Sequence, residues 1–471
     1  MIDTKGIRTK LLDSAIRGQL TKQLPEDGSA YEQFQHIKQE KAALIRAGKA
    51  KKEKQYSENP VFLPFPFEIP SNWEFVRFGD LMVNRDSERI PVSVDDRRNR
   101  KKIYDYYGAS GVIDGIDNYL FDKDLLLIGE DGANLLARSS PIAFIATGKY
   151  WVNNHAHVLD VCSGTDLRYI CLYINAISLE KYVTGSAQPK MNQENMNAIW
   201  VALPPYAEQQ RIIDKIDQAF SVLGTIDALQ MQYADNLSVL KSKLIDAAIQ
   251  GKLTKQLPED GTAEALYQMV QEERQRQEAA GTIKAVELAP DISDAEKPFT
   301  IPANWGWTHL GNVSYIVRGG SPRPIKQYIT TREDGINWIK IGDVEKGGKY
   351  IYSTHEKIIP EGESKSRRVY PGDFLLTNSM SFGRPYISKI EGCIHDGWLL
   401  IHGLNGFNSD YLYYLLSSTY LYGQFTVKAS GSTVDNLNID KVKAAIIPLP
   451  PLAEQKRIAK KIDELMQVFE R

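Results

Sequence analysis

The sequence predicts an α+β protein: two α/β domains separated by antiparallel coiled-coil helices, arranged as a pseudo-two-fold circular repeat. Three observations carry this. A heptad pattern runs through residues 207–251. Each half of that stretch recurs at the opposite end of the chain. Between the copies lie two stretches of short apolar runs broken by Gly, Asp and Asn.

The heptad stretch places apolar residues at alternating steps of four and three. They are Ile212, Ile216, Ala219, Leu223 and Ile226, then Tyr233, Leu237, Leu240, Leu244 and Ala247, with Gln230 alone interrupting the seam. A mean repeat of 3.5 residues marks a coiled-coil helix, whose narrow seam needs a partner. Such a helix is about 65 Å long. The alternative is a long helix in an ordinary bundle.

The partner is written into the chain's two ends. LPPYAEQQRI at 203–212 recurs as LPPLAEQKRI at 449–458, with Ile458, Ile462, Leu465 and Phe469 continuing the seam. KLLDSAIRGQLTKQLPEDGSA from Lys10 recurs as KLIDAAIQGKLTKQLPEDGTA from Lys243. Laid head to tail, the two ends rebuild the central helix, and an antiparallel pairing with it closes the repeat.

In order, residues 3–17 read as a helix ended by Gly18. Leu24-Pro25-Glu26-Asp27-Gly28 is a turn, and Ser29 caps a second helix to about Ala47. The lysine-rich 48–54 reads as a solvated linker. Ile69-Pro70-Ser71-Asn72-Trp73 opens the first strand-rich domain, with strands at 119–121, 125–128, 142–146 and 157–161 and a helix over 166–184. The helical hairpin repeats at 262–280. Ile301-Pro302-Ala303-Asn304-Trp305 opens the second domain, with strands at 315–317, 338–341, 373–377, 386–389 and 399–401 and a helix at 409–419. Segment boundaries fall at 1–66, 67–205, 206–298, 299–451 and 452–471.

Composition is that of an ordinary soluble chain: 471 residues, 42% hydrophobic, 25% charged, net charge −2. That balance excludes a protein coated in positive charge, so nucleic-acid binding must come from local patches. No run approaches 18 apolar residues, the start lacks a signal-peptide apolar region, and the three cysteines show no metal-type pairing. A cytoplasmic, non-membrane protein is expected.

The two domains begin and end alike, but their centres diverge. GEDGANLLARSSPIAF stands where TNSMSFGRPYI stands, and WVNNHAHVL where CIHDGWLLI stands. Neutral drift would have blurred the frame as well, yet KLTKQLPEDG survives near identity. A shared frame with unlike centres suits two readers of different targets.

With these features the chain resembles the specificity subunit of type I restriction-modification systems. The likeness rests on the paired L-P-P-x-A-E-Q-x-R-I motifs, the I-P-x-N-W segments, the A-I-x-G-x-L-T segments at 15–21 and 248–254, and two variable domains between helices. The resemblance implies two target recognition domains, each reading half of a split double-stranded DNA site. It implies helices that dock two modification (methyltransferase) subunits, with restriction (endonuclease and translocase) subunits joining them. The chain itself then needs no cofactor; S-adenosylmethionine, ATP and Mg belong to the partners. Many members run further at the C-terminus, and the placement of a matching helix piece at this chain's N-terminus looks like a permuted variant.

On that reading, phosphate contacts supply affinity and base edges supply identity. The candidates in the first domain are Ser110, Glu130, Asp131, Asn153, Asn154, His155, Ser186, Gln188 and Lys190. Glu130 or Asp131 suits cytosine N4 and Asn153 or Asn154 suits adenine; a polar turn and fold-satisfying histidines are the bland alternative. In the second domain they are Arg318, Ser321, Arg323, Lys340, Ser379, Ser381, Arg384, Trp398, Ser432 and Thr433. Arg323 and Arg384 suit guanine O6 and N7, or a carboxylate inside the domain.

Enzyme signatures fail on inspection. Leu203-Pro204-Pro205-Tyr206 has the outline of an amino-methyltransferase motif, but Leu203 cannot accept from an amine. No G-x-x-x-x-G-K-[ST] loop exists, and His155, His157 and Asp160 make a weak metal set that reads better as structural. The rival classes are a scaffold whose domains bind protein and an enzyme with an unfamiliar site.

Overall fold

The computed structural model describes residues 1–52, 65–185, 188–345, 347–379, 382–427 and 437–469. The helices are α1 (Thr4–Ile16), α2 (Ala30–Arg46), α3 (Leu167–Ala176), α4 (Tyr206–Ile249), α5 (Ala263–Ala279), α6 (Ser409–Ser417), α7 (Thr419–Val427) and α8 (Leu452–Phe469), besides single-turn pieces. The chain divides into two units, Met1–Gln232 and Tyr233–Arg471. The 44-residue α4 belongs to both, so each unit owns one piece of the heptad stretch.

In the first unit α1 runs antiparallel along α4. The Gln230 amide brackets Ile2, accepting its N–H at 2.5 Å and donating to its carbonyl at 3.3 Å. Thr4 and Arg8 meet Asp227 at 2.5 and 2.9 Å, and the Arg8 guanidinium lies 5.7 Å from the Phe220 ring centre. Ala15 and Ile16 pack with Ile212, Ile213 and Ile216 in the core. The second unit repeats this packing with Ala248 and Ile249 of α4 against Ile458, Ala459 and Ile462 of α8.

The seam is covered unevenly. Ile212, Ile216 and Leu223 are buried, and Ile226, Gln230, Leu237 and Leu244 are half-buried. Leu240 and Tyr233 are exposed, against the expectation of a continuous seam. Ile2, just before α1, meets α4 at Gln230, and apolar packing around the rear of α4 starts at Ile245.

The repeated motifs build one buried node in each unit. Glu208 is fully buried and accepts from Trp73 Nε1 (2.9 Å), Thr21 Oγ1 (2.8 Å) and Gln23 Nε2 (2.9 Å). Glu454 accepts from Trp305 Nε1, Thr254 and Gln256 at 2.8, 3.0 and 2.9 Å. Arg211 grips Asp27 of the first Pro-Glu-Asp-Gly turn, and Arg457 grips Asp260 of the second. Gly18 and Gly251 sit at φ near +70°, and a Cβ on either would lie 2.4 Å from the Cγ of Pro70 or Pro302. Three segments distant in sequence are thus locked by one carboxylate, which explains why these residue types recur together.

Each strand domain is closed by an antiparallel pair just inside the frame: Glu74–Arg77 with Trp200–Leu203, and Gly306–His309 with Ile446–Leu449. The first domain carries two four-stranded sheets and the second two five-stranded sheets. In both, the central strands are Leu125–Gly129 with Ala156–Val161, and Phe374–Thr377 with Trp398–His402, and each pair is antiparallel. The helix expected over 166–184 stops at Ala176. Its start is capped by Asp166, but Ile177 turns to an extended backbone and only a single turn at Glu180–Tyr182 follows.

Candidate nucleic-acid interface

Four loops of the first domain converge. The Glu130 amide donates to His155 O (2.9 Å), Gly132 N to Pro189 O (3.0 Å), Met191 N to Glu130 O (2.8 Å) and Asn153 N to Tyr107 O (3.0 Å). Gly129 makes the close approach possible, since a Cβ there would lie 2.7 Å from Ala109 O. Residues around 109–110, 130–131, 153–155 and 188–190 therefore share one face.

An alternating charge network ties this face to the sheet. His157 Nδ1 lies 2.6 Å from Asp86 and Nε2 lies 3.0 Å from Met191 O. Asp86 also accepts from Gln193 at 2.7 Å and pairs with Arg89 at 3.4 Å. Arg89 in turn donates to Ala156 O (2.6 Å) and Glu130 (3.1 Å), and Glu130 pairs with Lys190 at 3.2 Å. Burial penalises the Asp86 carboxylate, but His157 and Arg89 outweigh it and hold its pKa at about 2. Burial likewise works against the His157 imidazolium, and the Asp86 carboxylate overcomes it, raising the pKa. Asp131 lies 2.8 Å from His155 Nδ1.

Ser110, Asn154, His155, Gln188 and Lys190 are exposed on this face, and Asp131 is half-buried. Asn153 is a correction: it is buried, its Oδ1 accepting His155 N at 2.8 Å, so it shapes the turn instead of reading a base. Glu130 has one oxygen on Arg89 and the other on Lys190, so both of its oxygens are already engaged within the domain. Ser186 lies outside the described residues. In the basic loop at 97–102, Arg97 and Lys102 share Asp114 of a neighbouring strand at 2.8 and 2.9 Å.

The second domain gathers its loops around Asp396. Arg318 Nε and Asn378 Nδ2 donate to its carbonyl at 2.8 and 2.9 Å, Ser321 Oγ donates to its carboxylate at 2.8 Å, and Arg323 does so at 3.2 Å. Arg318 and Arg323 are exposed; Ser321 and Ser379 are half-buried. Lys340 is paired with Glu356 at 2.8 Å, and Arg384 lines a separate groove with Gly347, Tyr413 and Tyr422. Trp398 is the second correction: it is fully buried, its Nε1 donating to Ile339 O at 3.2 Å, so it anchors the sheet. Ser381, Ser432 and Thr433 lie outside the described residues.

Sequence reasoning passed over Asp86, Arg89 and Asn378. A signal existed for the first two. The domains open 232 residues apart, and subtracting that shift from Arg318 lands on 86, within the charged run Arg85-Asp86-Ser87-Glu88-Arg89.

With the geometry in hand, the comparisons with known proteins decide the family. The profile of the type I restriction modification DNA specificity domain matches twice, at residues 70–228 and 302–470. The chain belongs to this family. Each copy spans one strand domain together with its Leu-Pro-Pro motif, the first reaching into α4 and the second covering α8. The EcoEI specificity subunit of a type I restriction enzyme from Escherichia coli is 26% identical over 98% of this chain and 89% of that protein. The EcoAI specificity subunit from the same organism is 24% identical over the same shares. A solved structure described as the basis of complex assembly and conformational transition of the type I R-M system matches with a TM-score of 0.55 at 15% identity. It covers 86% of this chain and 93% of that one, and shows a shared fold. Both loop faces lie within the two DNA specificity domains. Among the described residues no helix is long and apolar enough to cross a membrane.

Proposed function

We propose that this specificity subunit reads a bipartite double-stranded DNA site, one half through each strand domain, and carries no catalytic step itself. The observation that supports this best is the contrast between identical buried nodes at Glu208 and Glu454 and unlike loop faces at Glu130 and Asp396. A common mount with different contact chemistry suits two targets read by one rule.

On this reading the repeated helices dock two modification subunits, with restriction subunits completing the complex. Methyl transfer to adenine N6, with S-adenosylmethionine, and ATP- and Mg-dependent cleavage take place on those partners. The exposed apolar residues of α4, Val222, Leu229, Tyr233 and Leu240, suit a docking role.

Methylation mapping in cells that express the chain with its methyltransferase subunits tests the proposal. The expected result is one motif made of two defined half-sites around an unspecified gap. A single uninterrupted motif, or none, would refute it. A scaffold for proteins would enrich no sequence from a random DNA pool.

A further inference from the structure

We infer that Lys190 is the base-reading cation of the first domain, and that Glu130, clamped by Arg89, is the positioning residue that aims it at a guanine. The inference rests on the DNA-reading function proposed above.

The backbone of Lys190 is fixed before its side chain is considered. Its N–H donates to Thr184 O at 2.8 Å and its carbonyl accepts from Thr184 N at 2.9 Å, so the strand ends of the 184–190 loop are stapled to each other. The neighbouring Pro189 carbonyl accepts from Gly132 N at 3.0 Å, which staples that loop to the one carrying Glu130. The side chain then runs out to solvent, 53% exposed, while its ammonium stays 3.2 Å from a Glu130 carboxylate that is itself only 15% exposed.

Glu130 has no freedom to follow Lys190 outward. Its other oxygen is held at 3.1 Å by Arg89, whose guanidinium is further tied to the carbonyls of Ala156 (2.6 Å) and Asp86 (3.1 Å). A rigid carboxylate at the base of an exposed lysine restricts where the ammonium can go, which is what a lysine lacks on its own.

The same carboxylate decides between the two nucleic-acid partners open to a cation. A lysine meant for phosphate gains from being free, because a carboxylate carried alongside repels the backbone and offsets the released counterions. A lysine meant for a base edge loses little, since guanine O6 and N7 are neutral acceptors and direction matters more than charge. Asp131, 2.8 Å from His155 on the same face, deepens that repulsion. The arrangement therefore favours guanine in the major groove over phosphate.

The test uses the full chain assembled with its methyltransferase subunits and selection from a random DNA pool, with binding repeated across salt concentrations. Lys190→Gln should lose discrimination for guanine at one position of one half-site by about 10- to 100-fold, with the other half-site unchanged and the salt slope unaltered. Lys190→Arg should keep the guanine. Glu130→Gln should relax the same position and steepen the salt slope, because the freed lysine then reaches phosphate. An equal loss across all sequences with a slope shallower by about one in Lys190→Gln would make Lys190 a phosphate contact and overturn the inference. So would an unchanged motif in Lys190→Gln, a variant of an exposed side chain whose folding a thermal melt checks. Failure of the wild-type complex to select any sequence would instead sink the proposed function.

Discussion

At the scale of single residues, the two buried carboxylates matter most for folding. Glu208 satisfies three donors with its two oxygens in a buried site, and truncation leaves Trp73 Nε1 and Thr21 Oγ1 unpaired, while Gln23 Nε2 keeps the carbonyls of Gly18 and Thr21. Glu208→Ala should destabilise the chain by about 3 kcal/mol or more, because each stranded buried donor carries its own desolvation cost. Glu454→Ala should match it, since its partners are the same types at nearly the same distances. Denaturant unfolding of both variants checks this, and a loss below about 1 kcal/mol in either would deny the node its role. The His157–Asp86 pair gives a pH signature. The raised pKa of His157 means its contribution is complete below the unfolded value of about 6.5 and fades as pH climbs through the folded one. The pKa of Asp86, lowered to about 2, means its contribution holds above the unfolded value near 3.8 and is lost as pH falls toward 2. Both are present together from about pH 4 to 6.5. His157→Gln should remove the alkaline arm of the stability profile, and an unchanged profile would contradict the pairing.

At the scale of elements, legibility followed periodicity. The heptad stretch named α4 nearly to its ends, and the duplicated motifs named its two partners, because those signals repeat in register. The strands Tyr104–Gly108 and Lys149–Val152 went unread. They pair in parallel deep in the first domain, yet their aromatic and charged residues lack an apolar alternation. The α7 helix was missed because Ser418 separates it from α6 by a single residue. Exposure at Tyr233 and Leu240 was illegible for a different reason: a heptad reports that a seam exists, not how much of it is covered. Gln230 shows the converse, a polar seam residue with an assigned task. Its amide fits both backbone groups of Ile2, so Gln230→Leu should free the start of α1. Hydrogen exchange at residues 2–6 is expected to quicken while the α4 core stays protected, and equal protection in the two proteins would remove the capping role.

At the scale of the whole molecule, the repeat is a statement about modularity. The frame holding each loop face is made of residues common to both units: the tryptophan, the carboxylate, the Pro-Glu-Asp-Gly turn and the positive-φ glycine. The loop faces themselves are built from within one domain, the first on Asp86, Arg89, Glu130 and His157, the second on Asp396 and Asn378. That is why the frame could be read from duplicated sequence while the contact residues could not: Asn153 and Trp398 look like readers by type, and only the fold turns them inward. It also sets an expectation for exchange. Replacing residues 74–184 with the equivalent segment of another family member keeps Trp73, Glu208 and the closing strand Trp200–Leu203, while removing most of the first loop face. The hybrid should therefore fold and should select a site in which one half-site is new and the other, with the gap, is retained. Methylation mapping reads both halves at once. A change in both half-sites, or in the gap, would mean that the two faces are coupled through the frame, and the account of independent readers on a common mount would have to be abandoned.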